Sequence, residues 1–74
     1  MEIAKVYDNG GLTFDRYTII FKDCSETLGL SENCDSSQGF SQFGVVVKGR
    51  HLGRQIQFAD LPENVRDHIC RRIT

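Results

Sequence analysis

The sequence has no tryptophan, a single proline and no long apolar run, and its three cysteines include no CxxC pair. Each gap excludes something. An odd, sparse set of Cys24, Cys34 and Cys70 is not the framework of a disulfide-stapled secreted domain. Thiols in a reducing compartment are expected, with a Cys24–Cys34 bridge left open. No stretch approaches the roughly 20 apolar residues that a membrane span needs, Tyr17–Phe21 (YTIIF) being typical of the short runs present. The N-terminus, MEIAKVYD, lacks the basic segment and apolar stretch of a secretory signal, so a cytoplasmic protein with no membrane partner is expected. A strong excess of one charge is also missing. The net charge is −1, whereas a dedicated nucleic-acid-binding domain is basic overall. There is no Walker loop, no GxGxxG and no strand–turn–helix elbow to present a nucleophile, and Gly49 to Gly53 leads into a strand, not a helix. Neither an enzyme nor a cofactor site is expected.

What is there suffices for one domain, residues 1–74, with a modest core. Lys5-Val6-Tyr7 and Tyr17–Phe21 are β-branched and aromatic and predict strands, with Asn9-Gly10 as a hairpin turn between them. Leu12 and Phe14 fall on even positions, and Tyr17, Ile19 and Phe21 on odd ones. Side chains alternate strictly along a strand, so this switch predicts a bulge or the end of pairing, a turn followed by a kink at Asp15-Arg16. Residues 23–42 read as a long polar connection interrupted by Leu28 and Leu30, and loops of that length either serve a function or are mobile. Phe43–Val47 and Gln55–Phe58 predict a second hairpin with a basic tip. Leu61, Val65, Ile69 and Ile73 recur every four residues and predict a C-terminal helix, with Asp60 as its cap and Glu63 completing a capping box. The expected class is α+β: two β-hairpins forming a small antiparallel sheet of four strands, with one C-terminal α-helix packed on it.

Spacing argues against two metal chemistries. Of the zinc-ligand types, His68 and Cys70 stand about 200° apart on a helix and cannot face one ion. Cys24 and Cys34, with nine residues between them, lack the short spacing of a zinc knuckle, and His51 completes the candidate set. Asp8, Asn9, Thr13 and Asp15 offer oxygen ligands, yet without the ladder and bidentate Glu of a calcium loop; Asp and Asn belong in tight turns for their own backbone bonding. No metal site is expected.

Surface recognition remains. Phe40 and Gln42 in the polar connection, with Asp8, Asn9, Asp15 and Arg16 around the opening turn, are the expected contacts for a protein partner. The alternative is nucleic-acid binding through Lys48, Arg50, Arg54, Arg71 and Arg72. Residues 43–74 hold six bases against three acids, the reverse of the acidic first part. An exposed sheet edge could also pair with a second copy to form a homodimer.

Three stretches, YDNGGLTFDRYT, QGFSQFG and DLPENVRDHI, resemble a group of short uncharacterised bacterial and phage proteins. In that group a YDNGG–T–DRYT element, a QGF and an LP-x-x-V helix recur. The resemblance implies no activity and no residue roles. It implies a setting: a small accessory protein of mobile-element type. By analogy with compact phage proteins, such a protein binds and inhibits a host protein machine, CRISPR effectors included.

Overall fold

YTIIF is apolar on both parities apart from Thr18, and a run of that kind is at home only where both faces are covered. In the computed structural model, which describes residues 2–45 and 49–73, it forms the central strand of a five-stranded antiparallel sheet. The strands are β1 (Ile3–Asp8), β2 (Tyr17–Phe21), β3 (Thr27–Leu30), β4 (Ser41–Gly44) and β5 (Arg54–Ile56), in the order β4-β3-β2-β1-β5. All five residues of β2 are buried. The helix α1 (Glu63–Ile73) follows, and Leu61, Val65 and Ile69 join Val6, Tyr17, Ile19, Phe21, Leu28 and Leu30 in one core, with Ile73 against its margin. The α+β class, the antiparallel sheet and the C-terminal helix are therefore as expected.

The pairing differs from two hairpins. The polar connection hides a strand: Thr27–Leu30 turns Leu28 and Leu30 into the core and pairs with both β2 and β4. The first four strands thus make a meander, and β4 and β5 lie at opposite edges instead of forming a basic-tipped hairpin. The strand expected at Phe43–Val47 is observed at Ser41–Gly44. Val46, Val47 and Lys48 lie outside the described residues. Gln55–Phe58 shortens to β5, because Phe58 opens a 3-10 turn (Phe58–Asp60) that leads the chain back over the core. Asp60 serves that turn and not the helix: its Oδ2 accepts the backbone N–H of Gln57 at 3.0 Å.

The parity switch near Asp15-Arg16 is an end of pairing and not a bulge, since β2 begins at Tyr17, opposite Asp8. Leu12 and Phe14 are in the β1–β2 loop, outside any strand. The irregularity is in β1, where Ile3 pairs with Phe21 and Lys5 with Ile20, leaving Ala4 as an extra residue. That bulge lets Ile3 and Val6, three apart, both serve the core face. At the far end of β1, Gly53 has φ +88, and a Cβ there would collide with the Asp8 carbonyl. Glycine is what allows the chain to enter β5 pressed against β1.

Candidate functional site

The β1–β2 loop is built from short polar side chains that bond their own backbone. Gly10 and Gly11 have φ +74 and +89, so the turn needs glycine twice. Their amides donate to Asp8 Oδ1 and Asn9 Oδ1, both at 2.8 Å, in successive Asx-type turns. Asn9, itself buried, donates through Nδ2 to Thr13 Oγ1 at 2.7 Å and to the Asp15 carbonyl at 3.4 Å, and Thr13 Oγ1 donates to Asp15 Oδ1 at 2.7 Å. The Asn9 amide closes the base on the Arg16 carbonyl at 3.0 Å. Arg16 grips Asp8 with Nε at 2.7 Å and Nη2 at 3.2 Å, reaches Glu32 with Nη1, and lies over the Tyr17 ring. The Arg16 bond holds the Asp8 carboxyl below its ordinary range, helped by the Gly10 amide and the field of Arg54; in turn the bonds to Asp8 and Glu32 push the guanidinium pKa up. A loop fixed this way presents Leu12, 82 % exposed, and Phe14, 61 % exposed, at its far side.

Asp15 joins the loop to a second feature. A groove of about 150 Å³ is lined by Asp15, Thr27, Gly29, Phe40, Gln42, Phe43 and Gly44. Phe40 is half-buried, and a Cβ on Gly29 would meet its ring edge at 3.5 Å, so the ring covers the place where β3 lacks a side chain. Ser31 holds Phe40 there. Its amide donates to the Phe40 carbonyl at 2.9 Å and its Oγ accepts the Phe40 amide at 2.8 Å. Of the residues expected to contact a protein, Asp15, Phe40 and Gln42 thus meet in one groove, and Asp8, Asn9 and Arg16 form the adjoining loop.

Among the described residues the basic side chains expected to contact nucleic acid divide between the two edges of the sheet. Arg54 of β5 stands opposite Asp8, and exposed Arg50 opens a 3-10 turn (Arg50–Leu52) at that edge whose Leu52 is buried. At the other edge Arg71 donates to Asp35 Oδ1 at 2.6 Å, and Arg72 covers the Phe43 ring with 5.0 Å to its centroid. The cationic tip expected at Lys48–Arg54 is not a hairpin, and its first member is outside the described residues.

One cluster has no counterpart in the sequence reading. The loop after β3 is clipped to α1 by Asn64, His68 and Arg71, which recur at helical spacing on one stripe: Asn64 Nδ2 donates to the Glu32 carbonyl at 3.0 Å, and His68 and Arg71 both reach Asp35. His68 Nδ1 is 2.7 Å from Asp35 Oδ1 and its Nε2 is 2.7 Å from Ser41 Oγ. A carboxylate only accepts, so the Nδ1 proton points to Asp35, and a neutral imidazole then accepts at Nε2 from the serine hydroxyl. Buried Cys34 lies beside them, and desolvation, then the Asp35 charge, pushes its thiol up, which makes it a weaker nucleophile. Ser41, His68 and Asp35 have the bonding order of a hydrolytic triad. Ser41, however, sits in the β3–β4 ladder instead of at a strand-to-helix elbow, and the neighbouring cleft is lined by Cys34, Asp35, His68, Arg71 and Arg72 without it. Among the described residues the three cysteines are unbridged, and no helix is long and apolar enough to cross a membrane. No protein-family model matches this chain, and neither a curated protein nor a solved structure matches it.

Proposed function

We propose that this chain is a protein-binding module that acts without catalysis, and that the β1–β2 loop with the adjoining Phe40 groove is its contact surface. The observation that carries this is the exposure of Leu12 and Phe14 on a loop whose backbone and polar side chains are already tied together. Apolar side chains that take no part in their own core gain by entering a partner's pocket. A fixed loop has little ordering entropy left to lose on binding, so more of that gain appears as affinity. Asp8, Arg16 and Glu32 beside the tip supply charge for orientation, and Gln42 supplies hydrogen bonds in the groove. By analogy with compact phage proteins, the partner is a host protein machine that the module inhibits by occupying its surface.

The test is a comparison of wild type with a Leu12→Asp/Phe14→Asp variant in capture from a bacterial host extract, followed by affinity measurement on the protein retained. The double variant should bind at least about tenfold more weakly, with thermal stability unchanged to within roughly 0.5 kcal/mol because both positions are exposed. Equal binding by both forms overturns the assignment. Retention that instead disappears with added salt and with Arg50→Ala/Arg54→Ala transfers the function to nucleic-acid binding.

A further inference from the structure

Cys34, Asp35 and His68 place a thiol sulfur, a carboxylate oxygen and an imidazole nitrogen within 4.8 Å of one another. We infer that these three side chains form a binding site for one divalent transition-metal ion of the zinc type. Thiolate, imidazole and carboxylate are the three side-chain donors that zinc takes, and in a tetrahedral site neighbouring ligand atoms lie about 3.5 Å apart. Drawing Cys34 Sγ slightly inward and widening the His68–Asp35 pair from 2.7 Å would therefore reach coordination distance.

The surroundings of His68 support the assignment. A metal-bound imidazole carries its proton on the nitrogen away from the ion, and a fixed acceptor holds it there. Ser41 Oγ stands 2.7 Å from Nε2, and a hydroxyl can rotate from donor to acceptor, so Nδ1 becomes free to ligate on the side of Asp35 and Cys34. Arg71 bonds the same Asp35 oxygen and competes with an ion for it. Its side chain is 67 % exposed, and a carboxylate has two oxygens, so it can move to the second when an ion takes the first. The cleft of about 550 Å³ bounded by Cys34, Asp35, His68, Arg71 and Arg72 gives an ion its way in and leaves a fourth coordination position to water. The ligands come from two places, the loop after β3 and the second turn of α1, so the ion would fasten the loop to the helix.

Cobalt(II) reports directly on such a site. Titrated into the full chain under reducing conditions, it should bind as one equivalent, with the intense visible bands of tetrahedral cobalt and a near-ultraviolet thiolate-to-cobalt band, all removed by added zinc. Cys34→Ala should abolish the thiolate band. Asp35→Asn and His68→Gln should each weaken cobalt binding by about tenfold or more. A Cys24→Ser/Cys70→Ser variant should leave the spectrum intact. The site is overturned by an absence of saturable uptake, by a thiolate band that survives Cys34→Ala, or by affinity indifferent to Asp35→Asn and His68→Gln. If Cys34→Ala does not fold by circular dichroism, Asp35→Asn decides, since that carboxylate is 39 % exposed and its replacement leaves the core untouched.

Discussion

Asp8 accepts from Arg16 and from the Gly10 amide, and both bonds favour its charged form. Its folded pKa therefore lies below the ordinary 3.8. A carboxyl shifted in this direction stabilises the fold fully above its unfolded pKa, and that contribution is lost as pH falls through the lower, folded value. Thermal melts of wild type should lose stability on acidification below about pH 4, and Asp8→Asn should lose less over the same interval while starting from a lower melting temperature at neutral pH. Parallel acid limbs for the two proteins would show that the pair contributes no linkage. Asp23, held low mainly by the Glu2 amide, adds to the wild-type slope and remains in the variant. Residue types around this turn were legible in the sequence, because Asp, Asn and paired glycines each have a local backbone reason to be there. The exposure of Leu12 and Phe14 was not, since their alternation fits a strand as well as it fits a loop.

At the scale of elements, α1 holds through one stripe. Val65 and Ile69 are fully buried, and truncating Ile69 to Ala should cost about 2–4 kcal/mol in urea unfolding, by lost transfer free energy and the cavity left behind. A cost below roughly 0.5 kcal/mol would mean that the helix does not bear on the sheet. That stripe was readable because a 3.6-residue period is a local signal. Strand β3 was hidden because TLGL has only two large apolar residues and lies in a serine- and acid-rich stretch; its burial comes from partners on both sides. The edges were misread because pairing between Arg54–Ile56 and β1 spans most of the chain and leaves no mark in spacing. The Cys34–Asp35–His68 cluster escaped for the same reason. Its one local trace was the polar stripe of Asn64, His68 and Arg71 beside the apolar one.

For the molecule as a whole, a radius of gyration of 11.0 Å matches the roughly 11 Å of a compact body of this length, and one continuous core serves the sheet and helix together. Unfolding should accordingly be two-state. Far-ultraviolet circular dichroism, which follows the backbone, and tyrosine fluorescence, with Tyr17 in the core, should trace the same urea curve, with a heat-capacity increment of about 1 kcal/mol/K. Separated transitions would divide the meander from the segment that follows it. The strand order also governs synthesis. A ribosome releases β1 to β4 as successive local pairs, but the outer rim of β1 waits for Arg54–Ile56, and the apolar floor of the sheet waits for α1. A nascent chain stalled short of these elements would show an open strand rim and a greasy underside, the features that chaperones and proteases recognise. Translational arrest would thus turn a self-contained fold into a degradation substrate.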